Sequence, residues 1–310
     1  MAWIILASAA QLINAVVAIV DKYLVTDEKA IPKPFVYAFY SCLVTGGWVI
    51  IYFIGLLPGL GDLGVPHFSN VQTPTIQVVG MSFLAAYTFF MALVSLYDAL
   101  KHADASDVMP VIGAVSAIAT FGMSFVFLGT RLSPNFIWGI LLLAVGTALV
   151  SQVRFTKNIA VLTIHSGIFF ALHYIAMKGL FQETSFDDGF FWSRVCFVLF
   201  ALSLLLVPVY YHKIFEQTKS TSKKTGAIVL GNKILAGVAA FMLLKATDWG
   251  DVAVVQALDG LKFVFILIIS VFLGQFIPKS AGENDQGAKT IFRKFLYVAI
   301  ISIGFVILFS

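Results

Sequence analysis

The sequence predicts an all-α polytopic membrane protein: ten transmembrane helices arranged as two inverted five-helix repeats. Three observations predict it, namely an apolar composition, ten hydrophobic runs of spanning length, and a correspondence between the two halves of the chain. Of the 310 residues, 60% are hydrophobic and 12% charged, with a mean hydropathy of +0.95. A soluble domain carries about 25% charged residues.

Each run is long enough, as a helix, to cross about 30 Å of hydrocarbon. The first, 2–20, begins "MAWIILASAA", whose small residues resemble a signal-peptide cleavage site. It lacks a basic leader and stays apolar to Val20, so it reads as a retained helix. The second, 34–57, and the third, 78–98, are set off by "TDEKAIPKP" (26–34) and "PGLGDLGVPHFSN" (58–70). The fourth, 108–129, and the fifth, 136–153, flank "TRLSPN" (130–135). The sixth to eighth are 159–180, 189–211 and 227–246. The ninth, 252–274, and the tenth, 291–309, flank "KSAGENDQGAK" (279–289). Gly, Pro, Asp and Asn in these breaks punctuate helices. The runs are apolar all round, unlike the alternating strands of a membrane β-barrel. No connection is long enough to hold a soluble domain.

Several chemistries lack their residues. The histidines, at 67, 102, 165, 173 and 212, are scattered, and no His or Cys pair has metal-ligand spacing on a helix. Cys42 and Cys196 both fall within spans, and "GLGDLG" has no strand before it to make a phosphate cradle. No nucleophile, paired-carboxylate or cofactor motif stands out, so an enzyme, a resident metal and a cofactor are not expected.

Internal repetition is more informative. Leu100, Lys101, Asp104 and Asp107 in "LKHADASD" recur as Leu244, Lys245, Asp248 and Asp251 in "LKATDWGD". Downstream, "FVFLG" (125–129) meets "SVFLG" (270–274), and "LLAVGTALV" (142–150) meets "IISIGFVIL" (300–308). Cys42 and Cys196 fall at matching places in helices two and seven, and Lys22 and Lys178 close helices one and six. The domains are therefore 1–153 and 159–310, five helices each. An odd number of helices makes the second half enter the membrane in the opposite sense. Such inverted repeats place a substrate site near the midplane, between halves that rock.

At this point the residues carry a resemblance. "SDVMPVIGAVSAIATFGMSFVFLGTRLSPNFIWGILLLAVGTALVS" (106–151) resembles the fourth and fifth helices of an EamA-like domain of the drug/metabolite transporter superfamily. "FFWSRVCF" (190–197) is similar to the segment holding the family's basic position, here Arg194. The acid that usually follows "FLG" is replaced by Thr130 and Gln275. The resemblance implies secondary transport, often export, of small metabolites such as amino acids, without nucleotide hydrolysis.

Asp259 and Lys262 lie inside the otherwise apolar "VVQALDGLKFVF" (254–265), Asp259 being eight residues, ~12 Å, beyond Asp251. Either charge facing lipid would cost ~2.5–3.5 kcal/mol, whereas an i,i+3 pair returns only ~0.2–0.5 kcal/mol. Both should therefore face a wet cavity, on a stripe shared with Gln256. The first repeat has no counterpart, which favours a functional role, with Asp259 as the proton acceptor that couples transport to a proton gradient. Other substrate-cavity candidates are Asn14 and Asp21, seven apart on helix one, with Tyr40, Tyr87, His173 and Arg194. Gln11, Tyr37, His165, Tyr174, Lys178, Trp192, Asn232 and Lys233 complete the polar candidates within spans. Gly113 is expected to serve helix packing.

Connections after odd-numbered helices hold fourteen Lys and Arg, those after even-numbered helices three. Positive-inside then puts both termini outside the cell membrane, against the cytoplasmic termini usual in the family. The run "HKIFEQTKSTSKK" (212–224) should meet anionic headgroups rather than nucleic acid. Expected partners are a small-molecule substrate and the bilayer; the oligomeric state stays open, a monomer being compatible with the sequence. A membrane-embedded enzyme would need a convergent acid/base or metal cluster, and a channel a continuous polar stripe; a passive interaction scaffold would need neither.

Overall fold

In a computed structural model the chain is an all-helical polytopic membrane protein, described over residues 2–28, 30, 31, 33–56, 65–130, 134, 137–142, 145, 156–273, 300 and 303. Its helices are α1 (Ala2–Thr26), α2 (Pro34–Ile54, with a 3-10 turn at Trp48–Ile50), α3 (Ile76–His102) and α4 (Ala105–Phe127). After the part of the chain that holds the expected fifth span come α5 (Lys157–Glu183), α6 (Phe186–Leu204), α7 (Pro208–Ser220), α8 (Lys223–Trp249), α9 (Val252–Ala257) and α10 (Gly260–Leu273). Among the described residues, seven helical segments are long and apolar enough to cross a membrane, or eight if α6 and α7 count as one bent span. The expected spans 136–153 and 291–309 lie largely outside the described residues.

Helix starts follow capping chemistry. Thr75, Thr156, Ser185 and Ser222 each accept a hydrogen bond from the backbone N–H three residues on, and Asp251 accepts from Ala253 and Val254. Each cap satisfies a donor the first turn leaves orphaned, worth about 1 kcal/mol. α2 instead opens on Pro34, whose missing N–H costs nothing in a first turn.

Two expectations are corrected. The seventh span does not run to residue 211. α6 ends at Leu204, and α7 leaves Pro208 at 98° to it. Proline cannot donate the N–H that would continue α6, and Val207 before it is extended (φ −90°, ψ 114°). Nor is 252–274 one unbroken helix, because Leu258 and Asp259 separate α9 from α10.

α3 packs on α5 and α6, and α1 on α8 and α10. α4 crosses α5, α9 and α10, while α2 meets α3, α6 and α8. Close crossings rest on glycine. A Cβ at Gly46 would lie 2.7–2.9 Å from Val198 and the Arg194 carbonyl, and one at Gly237 would fall inside the Trp48 indole. Leu24, Val36, Phe90, Leu100, Val108 and Phe197, from α1, α2, α3, α4 and α6, belong to a large apolar cluster that also takes in Ile214 of α7, Val229 of α8 and Ile266 of α10.

Two lysines tie helix ends together in the same manner. Lys22 Nζ, near the end of α1, donates to the carbonyls of Leu100 (2.6 Å) and Ala103 (2.7 Å) where α3 stops. Lys178 Nζ, near the end of α5, donates to Thr247 (2.8 Å), Asp248 (3.1 Å) and Gly250 (3.0 Å) where α8 stops. A cation suits a helix C-terminus, whose last carbonyls lack partners and carry the negative end of the helix dipole.

Candidate functional site

The break between α9 and α10 sets the site. Around Asp259 the backbone shifts from i−4 to i−3 bonding: Asp259 N donates to Gln256 O, Leu261 N to Leu258 O, and Lys262 N to Asp259 O, at 3.0–3.1 Å. Such tightening inside a long helix often marks a hinge or site. Lys262 Nζ lies 2.8 Å from both Asp259 carboxylate oxygens. The Lys262 and Asp259 side chains keep 14% and 16% of their surface exposed. Opposite them Gly113 of α4 makes room, since a Cβ there would lie 2.9 Å from Asp259 Oδ2.

Deeper toward the α1–α2 connection sits a second acid–base cluster, drawn from four helices. Asp21 Oδ1 accepts from Lys233 Nζ (2.8 Å), Asn232 Nδ2 (2.6 Å) and Tyr37 OH (2.5 Å). Lys233 also donates to Tyr97 OH (2.8 Å), which bonds Ser41 Oγ at 3.0 Å. The ammonium lies 4.2 Å from the centroid of the Tyr37 ring, a cation–π placement. Both charged side chains are about 95% buried. Three donors on one carboxylate oxygen, two of them neutral, compensate the loss of water that burial imposes.

A cavity of about 140 Å³ joins the clusters. Asp259, Lys262, Gln256 and Ser116 line it, as do Asp21, Lys233, Tyr97 and Ser41. Ser116 Oγ donates to Gln256 Oε1 at 3.3 Å. Asn14 lines it two turns before Asp21, and its Nδ2 donates to Gln11 Oε1 at 3.4 Å. Phe89, Leu93, Ile112 and Phe170 make up apolar surface between. At about 10–15 Å³ per water, the space holds on the order of ten waters or one small organic molecule. It is walled by helices from both halves of the chain.

Of the residues singled out in the sequence, Asp259, Lys262, Gln256, Asn14 and Asp21 line this cavity, and Arg194, Tyr40, Tyr87 and His173 do not. Arg194 is buried (2% exposed) with its guanidinium 4.7 and 4.6 Å from the Phe190 and Phe197 rings. Its Nη2 has no hydrogen-bond partner among the described residues. Tyr40 bonds Thr218 of α7. Tyr87 is 44% exposed beside Phe169 and Phe200 on the outer face. His173 Nδ1 donates to the Ala85 carbonyl at 2.9 Å, which occupies it in the bundle interior. Ser41, Tyr97 and Ser116 had no distinguishing pattern in the sequence. A helical Ser bonding its own turn is ordinary, and Tyr97, near the end of α3, has the position of an interfacial aromatic.

No described group of three or more His, Cys, Asp or Glu could hold a metal ion. No family model matches the chain, and no curated protein does. A solved structure described only as "Crystal structure of protein" is similar over 97% of this chain and 97% of its own, with a TM-score of 0.60 and 18% identity. The fold is thus one that occurs in another solved protein along nearly the whole chain.

Proposed function

We propose that the protein is a secondary active transporter of a small metabolite such as an amino acid, working by alternating access between two inverted five-helix repeats. The observation that carries this reading is the cavity, which helices of both halves wall and which two acid–base pairs line. A zwitterion presents one carboxylate and one ammonium, and each has a counter-group there. The volume suits a molecule of amino-acid size rather than a lipid-linked one. The matching lysine ties of α1 to α3 and α5 to α8 support the repeat, as does the pairing of α3 with α5 and α1 with α8. Asp259, at the helix break, is the proton-coupling group. Residence in the cell membrane with both termini outside, and export as the direction, are parts of the same proposal; the first rests on charge bias, the second on the EamA-like resemblance.

The test is counterflow in proteoliposomes. Preloading with a mixture of neutral amino acids should accelerate uptake of one labelled member, and Asp21→Asn or Lys262→Met should abolish the exchange. If no zwitterion of that size exchanges, the substrate class is wrong. If no solute of any class exchanges, the transporter reading fails.

A further inference from the structure

We infer that α7 is a membrane-surface helix that binds anionic phospholipid headgroups. α6 and α7 together make one apolar stretch bent by 98°; with α6 crossing the bilayer, that bend lays α7 close to the membrane plane. Its residues sort into three arcs at 100° per residue. One arc holds Tyr210, Ile214 and Gln217, which rest on the bundle. Tyr210 packs on Phe35 at 4.7 Å, and Gln217 Nε2 donates to the Ala30 carbonyl at 3.4 Å. The next arc holds Tyr211 and Phe215, one turn apart, 44% and 56% exposed, with rings stacked at 5.7 Å. The third holds exposed His212, Lys213, Glu216 and Lys219, with exposed Val209 among them in the first turn.

A helix lying flat beside a bundle needs this pattern: one side on protein, one in acyl chain, one in water. The apolar arc follows, along the chain, exposed apolar residues of α6 and the turn after it, where Leu199, Leu202 and Leu206 are 51%, 46% and 83% exposed. That continuity points Tyr211 and Phe215 into the same medium as α6, the leaflet. From residue 206 to 224 the chain carries Lys213, Lys219, Lys223 and Lys224 against one acid, Glu216, which pairs with Lys33 at 3.8 Å. The surplus is positive, and a negative headgroup layer complements it. α7 also reaches across the molecule. It is joined by chain to α6 and α8, yet it packs on the α1–α2 connection and on α2 through Lys33, Ala30 and Tyr40. The headgroups therefore hold a strut between the two halves. This depends only on the protein spanning a membrane, and stands whether or not it transports.

Single cysteines at Lys213 and Phe215, spin-labelled in proteoliposomes of phosphatidylcholine and phosphatidylglycerol at 3:1, read the orientation, because native Cys42 and Cys196 are buried. Oxygen should reach the label at 215 and a nickel chelate the label at 213. Replacing Lys213, Lys219, Lys223 and Lys224 by Gln should lower the preference for spin-labelled phosphatidylglycerol over phosphatidylcholine, by about fivefold per lysine near the surface. Salt at 1 M should do the same to the unsubstituted protein, which keeps the test open if the variant misfolds. A 215 label reached freely by nickel would overturn the inference. So would one reached by neither probe, which indicates a protein partner, or a phosphatidylglycerol preference that neither lysine removal nor salt alters.

Discussion

Removing the ammonium of Lys233 should be one of the most costly single changes in the interior. Its Nζ lies 2.8 Å from Asp21 Oδ1, and both side chains are about 95% buried. At an effective dielectric of about 20, that separation corresponds to about 6 kcal/mol of attraction, part of it offset by desolvation. Lys233→Met preserves length and removes the charge, leaving Asp21 ionised with two neutral donors, Asn232 and Tyr37. Breaking a buried pair from one side costs about 3–5 kcal/mol, because the remaining charge is uncompensated. Removing both partners is much gentler. Reversible unfolding by SDS titration in mixed micelles should show Lys233→Met destabilised by about that amount, and Asp21→Asn with Lys233→Met closer to the native protein than Lys233→Met alone. A Lys233→Met protein within about 1 kcal/mol of native, or a double variant whose loss equals the sum of the singles, would refute the reasoning.

Lys262→Met should cost less, about 1–2 kcal/mol in the same titration, because its pair with Asp259 is local to the α9–α10 junction and stays partly wet. Asp259→Asn should flatten the pH dependence of counterflow while leaving the protein folded; a normal rate with unchanged pH dependence would remove the coupling role. Gly113→Ala pushes a methyl to 2.9 Å from Asp259 Oδ2. The strain, about 1–3 kcal/mol, should lower counterflow on the order of tenfold with retained expression. Lys178→Met frees three carbonyls at the end of α8 and should lower stability by about 1–2 kcal/mol, with Lys22→Met doing the same at α3.

Span positions were legible because hydropathy is a local sum. α1, α3, α5 and α8 extend a few residues past the expected bounds, and in α1 polar residues, Asp21 and Lys22, continue the helix and are satisfied across the bundle. Pro208 was a visible break inside the expected seventh span, yet the apolar residues on either side of it, Leu204–Val207 and Val209–Tyr211, masked the turn. The charges at 259 and 262 were conspicuous for their cost in hydrocarbon. Arg194 and His173 were conspicuous for the same reason, but each is accommodated within the packed interior, by two aromatic faces and by one carbonyl.

The sequence by itself determined that the chain is a helical membrane protein, where most of its helices run, and which charges need a polar surrounding. Those follow from the transfer cost of each residue and its neighbours along the chain. Only the tertiary structure decided that Asp21 meets Lys233, which lies far along the chain in the other half, that Ser41, Tyr97 and Ser116 line the same cavity as Asp259, and that α7 turns onto α2. Which side chains converge depends on how helices cross, and crossings such as those at Gly46, Gly113 and Gly237 are set by close contact between surfaces that no local sum of hydropathy records.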